Sequence, residues 1–403
     1  MDFFSNLLRD LSTLGNNLGG LADWKVWMMW IIGGVLILLA IVKKMEPTLL
    51  LPMGFGAILV NIPHSGAIDQ SLVNGVSITE LLKNSTIGEL VENEMAERGA
   101  LSILFDAGIA NELFPLILFI GIGAMIDFGP VLSNPKLMIF GAAAQFGIFF
   151  TFCLASIFFP QLDAASIGII GAADGPTAIV VAQKLGSQFT GAIMVAAYSY
   201  MALVPIIQPP IIKALTTKKE RMIRMDTQQN EVSKLTRILF PIVITVVAGV
   251  VAPSSVSLVG FLMFGNLIRE CGVLDSLSNT AQNVLANLIT IFLGITIGTR
   301  MVADEFIRID TLLILALGLF AFIFDTAGGV LFAKLLNVFS KKKINPMVGA
   351  AGISAFPMSG RIVNKLGLEA DNQNFLLMPA IGVNVSGQIA SVIAGGLILN
   401  FFA

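Results

Sequence analysis

Charged side chains are scarce in this 403-residue sequence, since only 12% of the residues are Asp, Glu, Lys or Arg while 56% are hydrophobic. A soluble domain carries about 25% charged residues. The mean hydropathy of +0.86 is correspondingly high. Because the apolar residues come in long blocks, this composition excludes an ordinary water-exposed domain and predicts a membrane protein.

Histidine and cysteine are almost absent, with the single His64 and the two cysteines Cys153 and Cys271. So few ligands exclude a thiolate or imidazole metal site. The sequence contains no G-x-x-x-x-G-K-[ST] loop, which argues against ATP as the direct energy source. It has no basic face interleaved with aromatic residues, so nucleic acid is excluded as a partner. These absences remove most classes of enzyme.

Apolar stretches of about 20 residues, the length that spans a bilayer, follow one another along the chain. We predict membrane segments at 26–42, 47–62, 113–132, 137–160, 166–182, 190–212, 238–252, 282–301, 311–334, 346–362 and 376–400. Two shorter apolar pieces, 99–110 and 256–268, are expected to enter the membrane without crossing it.

Hydrophilic stretches divide the chain into an interfacial amphipathic helix at 1–25, a first membrane half at 26–212 and a second at 238–403. The insertion 64–98 carries six acids and two bases, so we expect it outside the cell. The linker 213–237 carries seven Lys or Arg and three acids, which places it in the cytoplasm.

Simple alternation of these segments puts both the insertion and the linker outside, which conflicts with their charges. The conflict disappears if one segment of the first half does not cross fully. The sequence around Asp174 breaks a helix, and we expect the incomplete crossing there.

An internal repeat relates the two halves at a constant offset of 181 residues. Gly171-Ala-Ala-Asp-Gly-Pro176 matches Gly352-Ile-Ser-Ala-Phe-Pro357, and a Lys-Leu-Gly sequence follows both. Such symmetry is typical of transporters built from inverted repeats, whose binding sites lie where broken helices meet near the midplane. A chance match of two apolar helices is the alternative. The predicted fold is an all-α polytopic membrane protein with about 10–11 membrane segments in two inverted repeats.

Asp174 is the most informative polar residue, because apolar residues flank it on both sides. A carboxylate at membrane depth costs about 2.5–3.5 kcal/mol and usually faces a cavity. The neighbouring glycines and Pro176 are expected to open the helix and free carbonyl oxygens. We predict an oxygen-rich site for a small hard cation, the alternative being an acid that caps a half-helix.

The matching segment of the second half adds further oxygen donors, with Asn345, Gly349 and Ser354 in one run that also holds two prolines. Inverted repeats would cross there and bring Ser354 to Asp174. Asn384 lies in the last segment. For each single Ser or Asn, hydrogen bonding between helices is the alternative.

Three other polar residues lie within apolar sequence, namely Tyr200, Arg361 and Asp325. Tyr200 and its neighbour Tyr198 are the only tyrosines, and at least one hydroxyl needs a polar partner. Arg361 is predicted to be buried, where it would anchor an anionic group or pair with an acid. Asp325 is predicted to be a pairing partner or a pore residue.

Several strings from about residue 26 to the C-terminal end resemble one family, the β subunits of the biotin-dependent Na⁺-translocating decarboxylases of oxaloacetate, methylmalonyl-CoA and glutaconyl-CoA. Some members of that family lack a segment equivalent to 64–98. The strings are Gly171-Ala-Ala-Asp-Gly-Pro-Thr177, Ala197-Tyr-Ser-Tyr-Met201 with the residues that follow it to Pro210, Gly265-Asn-Leu-Ile-Arg-Glu-Cys-Gly272, Asn345-Pro-Met-Val-Gly349 and Asn384-Val-Ser-Gly387.

The resemblance implies decarboxylation of carboxybiotin on a partner carrier, with proton consumption and coupled Na⁺ export. It implies Na⁺ ligands at Asp174, Asn345, Gly349, Ser354 and Asn384, coupling roles for Asp174, Tyr200 and Arg361, and carboxybiotin binding by Arg361. The implied partners are a carboxyltransferase α subunit, a biotin carrier, a small membrane γ or δ subunit, a homo-oligomer and membrane lipid. The implied location is a prokaryotic inner membrane. The chain has no Ala/Val-Met-Lys-Met biotin attachment sequence, so biotin comes from a partner.

Two other functions remain as alternatives to this one. A Na⁺-coupled secondary carboxylate transporter would have the same repeat architecture but no sensitivity to avidin. A passive membrane anchor would leave the intramembrane Asp174 unexplained. For coupling, we hypothesise that Ser354 and Tyr200 form a hydroxyl pair at which Na⁺ and a proton compete.

Overall fold

The computed structural model describes residues 19–63, 65–69, 99–225 and 232–402, and within these ranges the chain is helical without a β-strand. The all-α prediction is therefore confirmed. The α-helices are α1 (Trp24–Val42), α2 (Pro47–Val60), α3 (Ala100–Gly108), α4 (Leu113–Met125), α5 (Gly129–Ser133), α6 (Met138–Ala144), α7 (Phe146–Ala155), α8 (Gln161–Gly168), α9 (Gly175–Lys184), α10 (Thr190–Leu215), α11 (Lys218–Arg221), α12 (Lys234–Val251), α13 (Val256–Glu270), α14 (Asp275–Asn279), α15 (Ala286–Ile297), α16 (Ala303–Phe306), α17 (Ile309–Phe339), α18 (Met358–Ala370) and α19 (Leu377–Phe402). Short 3₁₀ helices are Pro135–Leu137, Ile169–Ala172, Pro253–Ser255, Gly298–Arg300 and Pro346–Gly352, and Thr280–Leu285 is a π-helical turn.

Seven helical stretches of the described chain are long and apolar enough to cross a membrane. An eighth results if α3 and α4 are counted as one bent span. The protein is therefore a multi-pass membrane protein. The seven stretches are Trp24–Val42, Pro135–Ala155, Thr190–Leu215, Lys234–Val251, Asp275–Arg300, Ile309–Phe339 and Leu377–Phe402.

Four predicted segments are not continuous helices of spanning length. The segment 47–62 holds only the 14 residues of α2, and the helix predicted at 113–132 ends at Met125. The segments 166–182 and 346–362 are interrupted. Hydropathy counts apolar residues without regard to breaks, so it merges half-helices into apparent spans.

Two predictions fall largely outside the described residues. Of the predicted amphipathic helix 1–25, residues 1–18 lie there, and so do residue 64 and residues 70–98 of the insertion. Both stay predictions.

The chain groups into two compact units. Among the described residues, those up to Leu113 and those in Ile291–Thr311 form one unit, and those in Phe114–Thr290 and from Leu312 onward form the other. Each unit takes residues from both sides of the linker 213–237. The predicted division into two repeated halves is a different division of the chain, and it stays a prediction.

In the first unit, α1 and α2 cross where both lack side chains. A Cβ atom on Gly33 would lie 2.7 Å from the Gly54 carbonyl oxygen, so the backbones are in direct contact. At the end of α2, the buried Asn61 amide donates to the Met301 carbonyl at 2.7 Å and accepts from the Ala303 amide at 2.8 Å. The Asn61 side chain thus hydrogen-bonds backbone groups that follow the end of the 3₁₀ helix Gly298–Arg300 and would otherwise lack a partner.

In the second unit, α19 is the central helix, with 67% of its most apolar stretch buried inside the protein. By contrast, α12 is only 11% buried over its apolar stretch. Its exposed valines, such as Val246 and Val250, suit contact with lipid. The polar residues of α19 thus lie inside the unit, where they need hydrogen-bond partners.

Both interrupted segments of this unit contain a 3₁₀ turn, a break and then an α-helix, in that order. The first runs from α8 through the 3₁₀ turn Ile169–Ala172 and a two-residue break into α9, and the second runs from the 3₁₀ turn Pro346–Gly352 through residues 353–357 into α18. The prediction that both are broken is confirmed. Pro176 occupies the first turn of α9, where its missing N–H costs nothing, so the break precedes it.

Candidate functional site

Asp174 lies at the first break and caps α9. Ala173 before it adopts a left-handed conformation with φ of 55°, which turns the chain sharply. The Asp174 carboxylate accepts from the Thr177 backbone N–H at 3.5 Å and from the Thr177 hydroxyl at 2.8 Å. The side chain is only 3% exposed. It therefore stabilises the half-helix, as the capping alternative predicted, and two further elements converge on it.

One oxygen of this carboxylate, Oδ2, lies where the two breaks meet α19. The Gln388 amide and the Ser391 hydroxyl, both on α19, each donate to it at 3.1 Å. The Ser354 hydroxyl, from the second break, lies 3.5 Å away. Ser354 and Ser391 are themselves 3.0 Å apart. A hydroxyl proton serves one acceptor at a time, so each serine oxygen keeps acceptor capacity.

Backbone contacts hold the two breaks together beside this carboxylate. The Ser354 N–H donates to the Ala172 carbonyl at 3.2 Å, so the broken segments pair directly. The Asn384 amide of α19 donates to the Ile353 carbonyl at 2.7 Å. Its other side-chain atom, Oδ1, is buried without a hydrogen-bond partner. An unpaired carbonyl oxygen is available to a cation.

The Asp174 pocket, defined here as Asp174, Thr177, Ser354, Asn384, Gln388 and Ser391, is buried and rich in oxygen. Among the hydrogen bonds and ion pairs of the described chain, none joins Asp174 to a basic side chain. The described residues also contain no group of three His, Cys, Asp or Glu suited to a metal ion. One carboxylate among neutral oxygens suits a monovalent hard cation better than a transition metal.

The two tyrosines of α10 point in opposite directions, because residues two apart on a helix lie on opposite sides. Tyr198 packs against the first break, since a Cβ on Gly175 would lie 2.4 Å from its ring, and its buried hydroxyl has no partner. Tyr200 donates to the Leu315 carbonyl at 2.5 Å. The structure therefore does not bring Tyr200 to Ser354. The hydroxyl next to Ser354 is that of Ser391 instead.

Asn345 and Gly349 are both predicted Na⁺ ligands, and both have other contacts. Asn345 caps the 3₁₀ turn before the second break, and Gly349 lies within that turn. The Asn345 side chain donates to the Arg221 and Ile223 carbonyls at 2.9 and 2.8 Å and caps its own turn by accepting from the Met347 N–H. A Cβ on Gly349 would lie 2.0 Å from the Gly329 carbonyl oxygen. In this structure both residues hold the second segment in place.

Arg361 is exposed, so the prediction of a buried guanidinium was wrong. It lies in the first turns of α18, directly after the second break. The helix also carries Ser359, Asn364, Lys365 and Glu369. The apolar sequence around the break ends where α18 begins, and a polar helix face keeps the charge accessible.

Sequence reasoning did not single out Gln388 and Thr177, although both bond to Asp174. A signal was present for each. Gln388 lies four residues after Asn384, and Ser391 lies seven after it, so all three share one face of α19. Thr177 follows Asp174 by three residues, the spacing of an N-cap and its partner.

Comparison with known proteins assigns nearly the entire chain to one protein family. Residues 25–402 match the family model described as the Na⁺-transporting oxaloacetate decarboxylase β subunit. The oxaloacetate decarboxylase β chain of Klebsiella pneumoniae is 48% identical over 93% of this chain and 94% of its own length. A probable oxaloacetate decarboxylase β chain of Vibrio cholerae is 47% identical over 94% of this chain and 96% of its own length. The β subunit of methylmalonyl-CoA decarboxylase of Propionigenium modestum is 49% identical over 93% of this chain and 94% of its own length.

Proposed function

Because the chain belongs to the family of Na⁺-transporting oxaloacetate decarboxylase β subunits, we propose that the Asp174 pocket binds the transported Na⁺. The protein is the membrane part of a Na⁺-transporting decarboxylase, and a secondary carboxylate transporter is not favoured. The observation that carries the proposal is a buried carboxylate that receives neutral donors from two broken segments and from α19. Na⁺ supplies the positive charge that this carboxylate lacks.

In the proposed reaction the complex cleaves the N–CO₂⁻ bond of carboxybiotin carried by a partner. The biotin nitrogen takes up one proton, CO₂ leaves, and Na⁺ is exported. The carboxyltransferase α subunit would load the carrier, and a small membrane γ or δ subunit would complete the complex in the inner membrane. Copies of this chain would associate in that complex.

We propose that the residues around the pocket have distinct roles. Asp174 supplies the counter-charge, while Ser354, Ser391 and the Asn384 oxygen coordinate Na⁺. Asn345 and Gly349 hold the second break in position through their contacts with Arg221 and Gly329. Proton exchange with Na⁺ then involves the Ser354 and Ser391 hydroxyls instead of a Ser354–Tyr200 pair.

The overall function is tested with the complete complex reconstituted in vesicles. We expect oxaloacetate or methylmalonyl-CoA to drive uptake of ²²Na⁺ into vesicles whose cytoplasmic face is outward, and avidin to stop it. Both substrates are tried because the relatives include both enzymes. Uptake that survives avidin would contradict a biotin-dependent pump and support a symporter.

Removing one serine hydroxyl from the pocket should weaken Na⁺ activation without abolishing turnover. We expect Ser391→Ala to raise the Na⁺ concentration for half-maximal decarboxylation roughly 5–30-fold, because one oxygen ligand is worth about 1–2 kcal/mol. Ser354→Ala should act similarly and should change the pH dependence of Na⁺ activation. Decarboxylation rates against Na⁺ at several pH values measure both effects.

Ser386→Ala is the matched control, since Ser386 lies on the same helix but donates to the Val383 carbonyl at 2.6 Å. It should leave Na⁺ activation unchanged. Equal shifts in Ser386→Ala and Ser391→Ala would mean that loosening α19, and not loss of a ligand, causes the effect.

Arg361 is proposed to hold the carboxylate of carboxybiotin, because its guanidinium is exposed directly after the second break. We expect Arg361→Gln to reduce decarboxylation of free carboxybiotin at least tenfold while Na⁺ binding in the purified protein is unchanged. Lys365→Gln, one turn along the same exposed face, is the control. If Arg361→Gln weakens Na⁺ binding as well, Arg361 belongs to the cation site instead.

A further inference from the structure

Another buried acid, Asp325, also contacts the first broken segment. Asp325 lies midway along α17 and is 1% exposed. A Cβ on Gly147 of α7 would lie 1.9 Å from its Oδ1 atom, and a Cβ on Gly171 would lie 3.2 Å from its Oδ2 atom. Gly171 belongs to the 3₁₀ turn that leads into Asp174. The carboxyl group therefore fits against two backbones that have no side chains there.

The Asp325 carboxyl group has no compensating charge in the structure. Its Oδ1 atom is buried without a hydrogen-bond partner, and Asp325 takes part in none of the ion pairs of the described residues. The Thr151 hydroxyl is also buried and without a partner. It lies one turn from Gly147 on the same face of α7. A proton needs only one carboxyl oxygen, whereas a metal cation needs several oxygens around it.

Few titratable groups face Asp325 from the elements packed against it. The 3₁₀ turn Ile169–Ala172 carries none, and α7 carries only Cys153, which is exposed near its far end. Tyr200 packs on the same face of α17 near Gly318, about two turns away. Asp174 follows Gly171 by three residues. It is thus the acid whose charge Asp325 influences through the broken segment.

We propose that Asp325 is a proton-binding site coupled electrostatically to Na⁺ binding at Asp174. This inference rests on the proposed assignment of Na⁺ to the Asp174 pocket. When Asp325 releases its proton, its negative charge strengthens Na⁺ binding, and bound Na⁺ favours release of the proton in return. Gly171 and Asp174 are at most about 11 Å apart along the chain. If the Asp325 carboxylate and the cation are also separated by about 11 Å, one charge changes cation affinity roughly tenfold at an effective dielectric constant near 20.

The direct test measures protons released when Na⁺ is added to the purified complex. A pH-indicator dye is recorded after addition of NaCl, with choline chloride as the blank. We expect release from the wild type, a smaller release from Asp325→Asn, and none from Asp174→Asn. In the wild type, the Na⁺ concentration for half-maximal activation should change roughly tenfold with pH as Asp325 gains or loses its proton. In Asp325→Asn this contribution to the pH dependence should be absent. Asp310→Asn, a half-exposed acid at the start of the same helix, should behave as the wild type.

Each outcome has a separate meaning for the two assignments. Release from Asp325→Asn equal to that of the wild type overturns the role of Asp325 but leaves the Asp174 pocket untouched. Release that persists in Asp174→Asn overturns the Na⁺ assignment itself.

A measurement on the wild type keeps the proposal testable if Asp325→Asn does not fold. A hydrophobic carbodiimide reacts with protonated buried carboxyl groups, and mass spectrometry of the digested protein identifies the labelled residue. We expect labelling of Asp325 in choline chloride and at least threefold less in saturating NaCl. Absence of labelling, or labelling that Na⁺ does not change, overturns the proposal.

Discussion

Asp174→Asn is expected to stop Na⁺ transport and decarboxylation together. The substitution removes the negative charge but keeps the side-chain volume and an oxygen that caps α9, so folding should survive. Without its counter-charge, Na⁺ should bind at least about 100-fold more weakly, which corresponds to about 2.7 kcal/mol or more. The measurement is ²²Na⁺ uptake and CO₂ release by the reconstituted complex.

Asp163→Asn is the matched control for this charge removal. Asp163 is another buried acid of the same segment, but it lies in α8 and accepts from the Ser187 hydroxyl at 2.7 Å. An asparagine oxygen accepts that bond as well, so coupling should persist. Normal Na⁺-dependent turnover by Asp174→Asn would refute the assignment of Na⁺ to this pocket.

Gly349→Ala is expected to destabilise the protein severely, although the site as predicted from sequence made Gly349 a Na⁺ ligand. The backbones at Gly349 and Gly329 lie so close together that neither position has room for a side chain. A Cβ on Gly329 would lie 2.1 Å from the Gly349 carbonyl oxygen. An added methyl group must push α17 away from the second broken segment, which should cost about 1–3 kcal/mol or more. We expect a lower unfolding temperature and weaker Na⁺ activation of whatever folds.

Gly260→Ala provides the comparison, because a Cβ there would meet its nearest atom at an ordinary 3.9 Å. It should leave the unfolding temperature unchanged. Thermal unfolding of the purified variants, followed by far-ultraviolet circular dichroism of the helices, measures both. If Gly349→Ala is as stable as the wild type yet loses Na⁺ activation, Gly349 acts as a ligand through its backbone after all.

The class of fold and the central residue of the pocket follow from local properties of the sequence. Hydropathy alone indicates membrane helices, because a bilayer requires long uninterrupted apolar surfaces. Glycines and Pro176 beside a carboxylate predict the break at Asp174, because proline lacks an N–H and clashes with the preceding turn of a helix. Proline alone does not decide a break, since α10 contains Pro205, Pro209 and Pro210 in its interior. The repeat at an offset of 181 residues predicted the second break and the meeting of Ser354 with Asp174.

Orientation around each helix axis, in contrast, depended on which elements pack together. Tyr198, and not Tyr200, faces the first break, because α10 packs that side against Gly175. Arg361 is exposed because α18 begins just before it and turns a polar face outward. No local pattern distinguishes Tyr198 from Tyr200, since both lie in the same apolar helix. For Arg361 a local signal was present, because Arg361, Lys365 and Glu369 share one face of α18.

The sequence by itself determined that this protein is a helical membrane protein with an acid at a broken helix. Hydropathy, glycine and proline affect the conformation of the segment that contains them, so these features do not depend on distant residues. Only the tertiary structure decided that Gln388 and Ser391 complete the Asp174 pocket. It also decided that Asn345 and Gly349 contact other parts of the chain, namely Arg221 and Gly329. It also decided that Asp325 contacts the same broken segment. Except for the contact between Gly349 and Gly329, those contacts join residues more than a hundred positions apart, and the packing of entire helices sets all of them.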